Sequence, residues 1–580
     1  MRTFTKIFFI VVLICFSPAS FAQNLEKIGD KDALKVNGGF NFNSTFYHAD
    51  GMMPRRDPFA WFFSGNINFS ILDWSIPFTY TYSNLHGTFT QPFDQYCIAP
   101  QYKWIKTYIG YASMNFSSYT LAGHVFLGGG AELTPGNWKI DLMCGRLKKA
   151  VEYDVLNNSD ANMSYRRIGY GAKAGYEKNG HGLFLSFFRA SDDPLSIPYV
   201  PVTSLIRPMD NAVMSISGKT KLNKHFFAEG EYALSGLTRN SLAEAEVSGE
   251  RTNYLPVVFV MRTTSQFFHA MKGSLGYQSQ KFRLNLNYER IDPDYQTLGA
   301  YYFTNDMENI TLAPALTLFK NKLNIAANTG LQRNNLDHTR SGTMKRWAGS
   351  VNVSFVPNAK FTFSGSYSNF TSYTKMRPQN DPYFQNTLDT LNFYQLSQNA
   401  NASCNYNFGK KNFKQSLTLT ASYQVTGEKR GEQVPVISLY GGQHTVTIPS
   451  IVYNSNIGYT VNHVPTRTSV MFAINGNQSL LGSTATLFIG PNLAIGQSFL
   501  KNLLRVSLGT SYNRVLTNNV ANSSVMNNRL SVNYNPKVKN TKSGKPSFGL
   551  SCFCLSKFAT SSSATSFREL TVLANVNYNF

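Results

Sequence analysis

The groups in this 580-residue chain that come nearest to a reactive or metal-binding pattern are few. They are two thiols at Cys552 and Cys554 and two acidic pairs, Asp292 with Asp294 and Asp306 with Glu308. Thiols at i and i+2 could act as a redox couple or hold a soft metal, but a metal centre needs further ligands and no histidine lies near them in the sequence. The acidic pairs could bind calcium weakly; in their polar surroundings they read as solvated loop charge. The nine histidines are scattered singly, and His48, His86, His338 and His444 fall in predicted loops, where they read as solvated side chains rather than general bases. No phosphate-cradling glycine loop with its following lysine is present. The run Gly128-Gly129-Gly130 sits inside a strand pattern, where small residues mark a bulge or a crowded contact. No catalytic, cofactor-binding or metal-binding residue is assigned, and the expectation is a protein that is not an enzyme.

The pattern that does run through the chain is alternation. Leu570, Val572, Ala574, Val576, Tyr578 and Phe580 share one parity, while Thr571, Leu573, Asn575, Asn577 and Asn579 take the other. A strand built from them has one apolar face and one that is polar apart from Leu573. Near the other end, Leu34, Val36, Phe40, Phe42 and Phe46 alternate with Lys35, Asn37, Asn41, Asn43 and Thr45. Between them the same hairpin recurs: Phe282, Leu284, Leu286 and Tyr288 against Arg283, Asn285, Asn287 and Glu289, or Phe361, Phe363 and Tyr367 against Thr362, Ser364, Ser366 and Ser368. Turns are predicted at 72–73, 279–281, 320–322 and 357–359, and near Lys178, Asn223, Gly409, Pro465 and Lys501.

Counting in this way gives about 26 strands, with a range of 22 to 28. Short turns are expected after even strands and longer loops after odd ones, the longest being 190–210, 236–269, 291–306, 371–395 and 426–445. Aromatic residues fall where two girdles belong: Tyr277, Phe319, Phe355, Phe408, Tyr534 and Phe580 at one end, and Tyr82, Tyr288, Tyr367, Tyr423 and Tyr512 one strand-length away. Composition agrees. Aromatics make up 14% of the chain and charged residues only 15%, against about 25% in a soluble domain.

Arg2 and Lys6 precede an apolar run from Ile7 to Phe16, and Ser20-Phe21-Ala22 supplies small residues for a signal peptidase, so export with cleavage after Ala22 is expected. Beyond residue 22 no apolar run approaches the roughly 20 residues a membrane helix needs, which leaves a closed sheet as the way to span a bilayer. The organisation expected is a signal peptide over 1–22, a short segment over 23–32 with no plug or docking domain, and one all-β barrel over 33–580. Cys15 leaves with the signal, and of Cys97, Cys144, Cys404, Cys552 and Cys554 the last four share parity with apolar neighbours and read as small lipid-facing residues.

A carboxyl-terminal strand finishing in Tyr-x-Phe, here Leu570, Val572, Val576, Tyr578 and Phe580, resembles the closing strand of Gram-negative outer-membrane β-barrels. That resemblance implies recognition of the strand by the barrel assembly machinery, a place in the outer membrane with its lipids as partners, and short turns and both termini on the periplasmic side. It does not single out one family among the many that share the fold.

A formal net charge of +22 invites a nucleic-acid reading, but position argues against it. Lys178, Lys224, Lys281, Lys320, Lys322, Lys360, Lys410, Lys411, Lys414, Lys501, Lys537, Lys539, Lys542 and Lys545 lie in or beside predicted short turns and supply most of the excess. They form a periplasmic basic collar near anionic headgroups, or a docking ring for an acidic periplasmic partner. The face predicted to point inward is mostly Asn, Ser and Thr, as in Thr418, Thr420 and Ser422 or Ser507, Ser511 and Asn513, a hydrated and nearly neutral wall.

A ring of 26 strands, about 4.8 Å apart and tilted about 40°, is roughly 50 Å across, wide enough to leak unless long loops fold inward or another protein fills it. Three functions stay open. The first is a transport or export channel gated by loops or by a periplasmic or lipoprotein partner; the others are a structural or surface-interaction barrel with a closed lumen, and a rim enzyme. If the collar lies at the membrane surface rather than in the path, reversing several of its lysines leaves pore selectivity nearly unchanged in planar-bilayer measurements; a large selectivity change refutes it.

Overall fold

In the computed structural model the chain forms one closed antiparallel barrel of 26 strands, running from Leu34–Asp50 to Phe567–Asn579. The residues described are 34–71, 73–84, 94–154, 162–246, 252–301, 304–339, 345–369, 397–426, 450–538, 544–560 and 565–580. The expected signal peptide and the 23–32 segment, the loop 371–395 and most of 426–445, and His86, His444, Lys539 and Lys542 lie outside them.

Each strand pairs with its chain neighbour, and the last pairs with the first, from Gly39 opposite Asn579 to Asp50 opposite Arg568. Reciprocal backbone hydrogen bonds of 2.9 Å between Gly38 and Phe580 finish that seam. Closure leaves no edge strand with unpaired N–H and C=O groups. The fourth strand is the exception to long pairing. It is split into Gln95–Ile98 and Gln101–Tyr102 around Ala99-Pro100, and it meets the following strand, Ile105–Asn115, at four register pairs only.

The period-2 pattern decides what points where. Leu183, Leu185, Leu275, Ile457 and Leu508 are each more than half exposed on the outer face. Burying an aliphatic side chain of this size is worth about 1.5–3 kcal/mol over leaving it in water, so a wall of them belongs in a non-aqueous medium. Aromatic rings meet in pairs on the outer face at both ends of the barrel. At one end Tyr277 meets Phe226, Tyr406 meets Phe408 and Tyr534 meets Phe548; at the other Trp61 meets Tyr82 and Tyr423 meets Tyr453. Cys144, Cys404, Cys552 and Cys554 share this outer face, opposite Tyr170, Leu419, Val572 and Leu570, and the five described cysteines are free thiols.

The expected alternation of short turns and long loops holds with three exceptions. Two-residue turns, Gly482-Ser483 and Asn518-Asn519, join strands at the long-loop end, and a ten-residue connection, 535–544, sits at the short-turn end. The two tight turns are possible because Gly482, Asn518 and Asn519 take positive φ, a conformation that Gly and Asn tolerate and that matches strand twist. Longer strands also shorten two expected loops, to 194–209 and 239–264.

Between Ile489 and Asn492 two residue pairs are missing from the ladder with the next strand, and a Cβ on Gly490 would collide with the Tyr512 carbonyl oxygen. Gly218, by contrast, would meet only ordinary contacts. Gly490→Ala is therefore expected to cut the yield of heat-modifiable folded barrel several-fold, and Gly218→Ala to leave it unchanged, on unheated gels after refolding.

Candidate functional site

The inner wall has two unlike arcs. From the strand Met307–Leu318 onward it is lined by Asn352, Ser364, Ser366, Asn401, Thr420, Ser422 and Asn454, and farther round by Asn456, Asn475, Asn477, Asn513 and Asn527. Side-chain amides bond across strands, as from Asn454 to Ser422 at 3.0 Å, from Asn477 to Asn454 and from Asn41 to Asn577. This arc is the hydrated wall the alternation predicts.

The arc between Ile105 and Ile291 corrects the expectation of a neutral wall. Register places Lys106, Glu132, Asp141 and Lys173 side by side on four consecutive strands, and Glu231, Lys272 and Glu289 side by side on three others. Lys272 Nζ is 3.0 Å from Glu231, while Lys139 and Lys219 share Glu177 at 3.0 and 2.5 Å. A cavity of about 580 Å³ opens among Lys139, Lys173, Lys219, Lys272, Glu177, Glu229, Glu231, Glu289 and Phe184. One row sets two carboxylates between two lysines and the other sets a lysine between two carboxylates, so the arc carries strong local fields with little net charge. Glu231 Oε1 is buried there without a hydrogen-bond partner. A buried acceptor in that state favours any solute that brings an N–H or O–H to it.

Two loops roof this arc. The connection 116–121 turns inward: Lys173 Nζ donates to the Phe116 carbonyl at 2.7 Å, Lys272 Nζ donates to Ser118 Oγ at 3.1 Å, and Tyr119 O–H donates to Glu289 at 2.7 Å. Lys272 Nζ also lies 4.9 Å from the centre of the Tyr119 ring. Residues 295–299 of the connection 292–306 lie over the first loop. Tyr295 O–H donates to the Tyr119 carbonyl, Thr297 O–H to the Thr120 carbonyl, and Asn211 Oδ1 accepts from Leu298 N. Beneath them Met114, Phe116, Leu121, Phe126, Leu147, Phe188 and Leu298 form a dry cluster on the lumen side, and the Tyr301 ring stacks on His124 with centroids 4.0 Å apart. The roof is thus held by apolar burial as well as polar ties. Burial, with the Glu289 carboxylate beside it, pushes the Tyr119 hydroxyl above the ordinary tyrosine value, and burial does the same to Tyr295, so both stay protonated donors.

The sequence-predicted residues fall elsewhere. Val572, Val576 and Tyr578 lie beside Phe46, Phe42 and Phe40 on the outer face at the closing seam, Leu570 beside His48, and Phe580 is 5.8 Å, ring to ring, from Tyr578. Lys224, Lys281, Lys320, Lys322, Lys360, Lys411 and Lys501 occupy the short turns; Lys178, Lys410, Lys414 and Lys545 cap the adjoining strand ends, and Lys537 lies in the 535–544 connection. No ion pair found among the described residues involves these lysines. Lys103, in the turn after the split strand, belongs with them and was missed. Also missed were the mid-strand charges inside the arc; their signal is a Lys or Glu at the polar parity of strand after strand between 105 and 291. No grouping of three or more metal-ligating side chains occurs among the described residues.

Fold, outer face and lined lumen define a large membrane-spanning β-barrel. Solved structures with some similarity to this chain include three membrane or transport proteins. The FrpB iron transporter from Neisseria meningitidis (F5-1 variant) is 10% identical, with a TM-score of 0.36 over 94% of this chain and 82% of that one. Pseudomonas aeruginosa OpdK, solved with vanillate, is 6% identical, with a TM-score of 0.29 over 64% of this chain and 93% of that one. Acinetobacter baumannii OccAB4 is 10% identical, with a TM-score of 0.28 over 73% of this chain and all of that one. No family model and no curated protein matches the chain.

Because Tyr119 donates only while protonated and its hydroxyl titrates higher in place than free, the tie to Glu289 is fully present below about pH 10 and weakens as pH rises beyond it. Single-channel current is expected to be steady from neutral pH to about 10, because the raised hydroxyl stays protonated over that range. Tyr119→Phe, which removes the tie, should give the larger current at neutral pH.

Proposed function

We propose that the protein is an outer-membrane channel for small hydrophilic solutes, exported with its signal peptide removed after Ala22 and inserted by the barrel assembly machinery among outer-membrane lipids. The observation that carries this reading is the roof. Loops 116–121 and 292–306 are tied into one half of the lumen and leave a charged cavity beneath them, while the other half keeps a wall of Asn, Ser and Thr. A barrel serving only as a scaffold needs no hydrated lining. A transport barrel needs both a wet path and a restriction, and here they are built from different arcs. The roof supplies the loop gating that the width of the ring demands, and the interspersed lysines and carboxylates below it orient solutes carrying both charges or several hydroxyls. Further closure, where needed, falls to a periplasmic or lipoprotein partner docking at the lysine ring.

Purified protein in planar bilayers should give discrete current steps, and removing residues 117–120 should enlarge them. Silence under all voltages and salts, with the barrel folded, overturns the channel reading in favour of a scaffold with a closed lumen. Co-purification from native membranes checks the partner: a stoichiometric lipoprotein supports it, and its absence leaves the loops as the gate.

A further inference from the structure

One stretch of a long loop, residues 252–261, packs on the outside of the barrel. In the connection 239–264, Leu255 and Phe259 are buried against Ala212, with Leu234 and Phe267 packed alongside. These wall residues belong to the outward parity, in line with Met214, Ile216 and Tyr232, each more than two-fifths exposed on the same face. A Cβ on Gly236, the outward neighbour of Ala212, would meet the rings of Phe259 and Phe267. The loop is therefore folded back onto the exterior of the barrel, at the upper margin of its apolar band.

Its shape is fixed locally. Asn253 accepts from Leu255 N and donates to the Phe259 carbonyl, both at 2.9 Å, and Phe259 N donates to the Leu255 carbonyl. Tyr254 and Phe259 each meet the Phe267 ring edge-on. The stretch 252–261, Thr-Asn-Tyr-Leu-Pro-Val-Val-Phe-Val-Met, carries no charge. Yet Val257 is 94% exposed, and Tyr254 and Val260 are more than half exposed. An ordered, uncharged loop that presents valines outward beside a lipid-facing wall matches an interfacial anchor, with Tyr at the polar boundary.

We propose that residues 252–261 form a membrane anchor on the outside of the barrel, with Val257 and Val260 inserted among lipid chains at the long-loop end. Lipid is the occupant because the loop's exposed side chains continue the band that already meets acyl chains. The proposal rests on the membrane-spanning reading, and the test separates the two. In a form whose five mature cysteines are replaced by Ala, spin labels are placed at Val257→Cys, Val260→Cys, Ile216→Cys on the barrel wall and Arg56→Cys in an exposed loop. The protein is reconstituted in phosphatidylcholine vesicles, folding is checked by heat modifiability, and collisions with oxygen and with a water-soluble nickel chelate are compared.

The expected result is oxygen-dominated collision at Val257 and Val260, about equal to that at Ile216, with the reverse at Arg56. Nickel-dominated collision at Val257 and Val260 while Ile216 stays shielded overturns the anchor and leaves the barrel in the membrane. Nickel access at Ile216 as well overturns both. Shielding from both reagents, with disulfide cross-linking between copies through Val257→Cys, assigns the surface to a second copy and also overturns the lipid anchor.

Discussion

Backbone polar groups cannot be left unpaired in hydrocarbon, and everything else in this protein follows from how that demand is met. Strands satisfy it only if the sheet closes, so Gly39–Asp50 must find Arg568–Asn579 across more than five hundred residues of chain. Once the ring is shut, each residue has two addresses, lipid or lumen, and its parity decides between them. The aromatic girdles, the outward thiols and the amide-lined arc are all consequences of that two-way sorting. The closing pair also imposes a long-range contact at the end of folding, a cost in chain entropy met by pairing along the whole strand.

The lumen shows what closure alone does not provide. A ring of this circumference has no side chains long enough to fill it, so its restriction must come from chain that leaves the wall. Loops 116–121 and 292–306 do this by bringing their own apolar side chains to a dry patch on the inner face, around Phe126, Leu147 and Phe188. That patch breaks the rule of a polar lumen at a place that a loop covers. The charged rows stand next to this roof, where displaced water and neighbouring ion pairs strengthen each field.

Much of the fold was legible because strand sorting is local and repetitive. Leu570 to Phe580, Phe282 to Glu289 and Phe361 to Ser368 each show their two faces within a few residues, and the strand count follows from repetition. The turn exceptions at Gly482-Ser483 and Asn518-Asn519 were hidden by the expectation of a long loop, although Gly and Asn pairs announce tight turns. The site was much less legible. That Lys272 stands between Glu231 and Glu289 depends on register across three strands, and that Tyr119 reaches Glu289 depends on a loop crossing 170 residues of sequence separation. Period 2 carries neither fact. Phe126 and Phe188 sit at polar parity, a local contradiction that marks the roofed patch once the roof is seen.

The split fourth strand gives the wall a hinge line. Elsewhere neighbouring strands are laced by long runs of paired residues, such as Ser397–Lys410 against Phe413–Thr426, but Gln95–Tyr102 meets Ile105–Asn115 in register only at Cys97, Ile98, Gln101 and Tyr102, with one further bond from Thr107 N to the Pro100 carbonyl. Pro100 interrupts the ladder where a donor would stand, since its ring nitrogen bears no hydrogen. Lateral tension in the bilayer, or a pull from a docked neighbour, would concentrate at that stretch, so the ring behaves less like a uniform hoop than like a bracelet with one clasp, set apart from the place where its two ends meet.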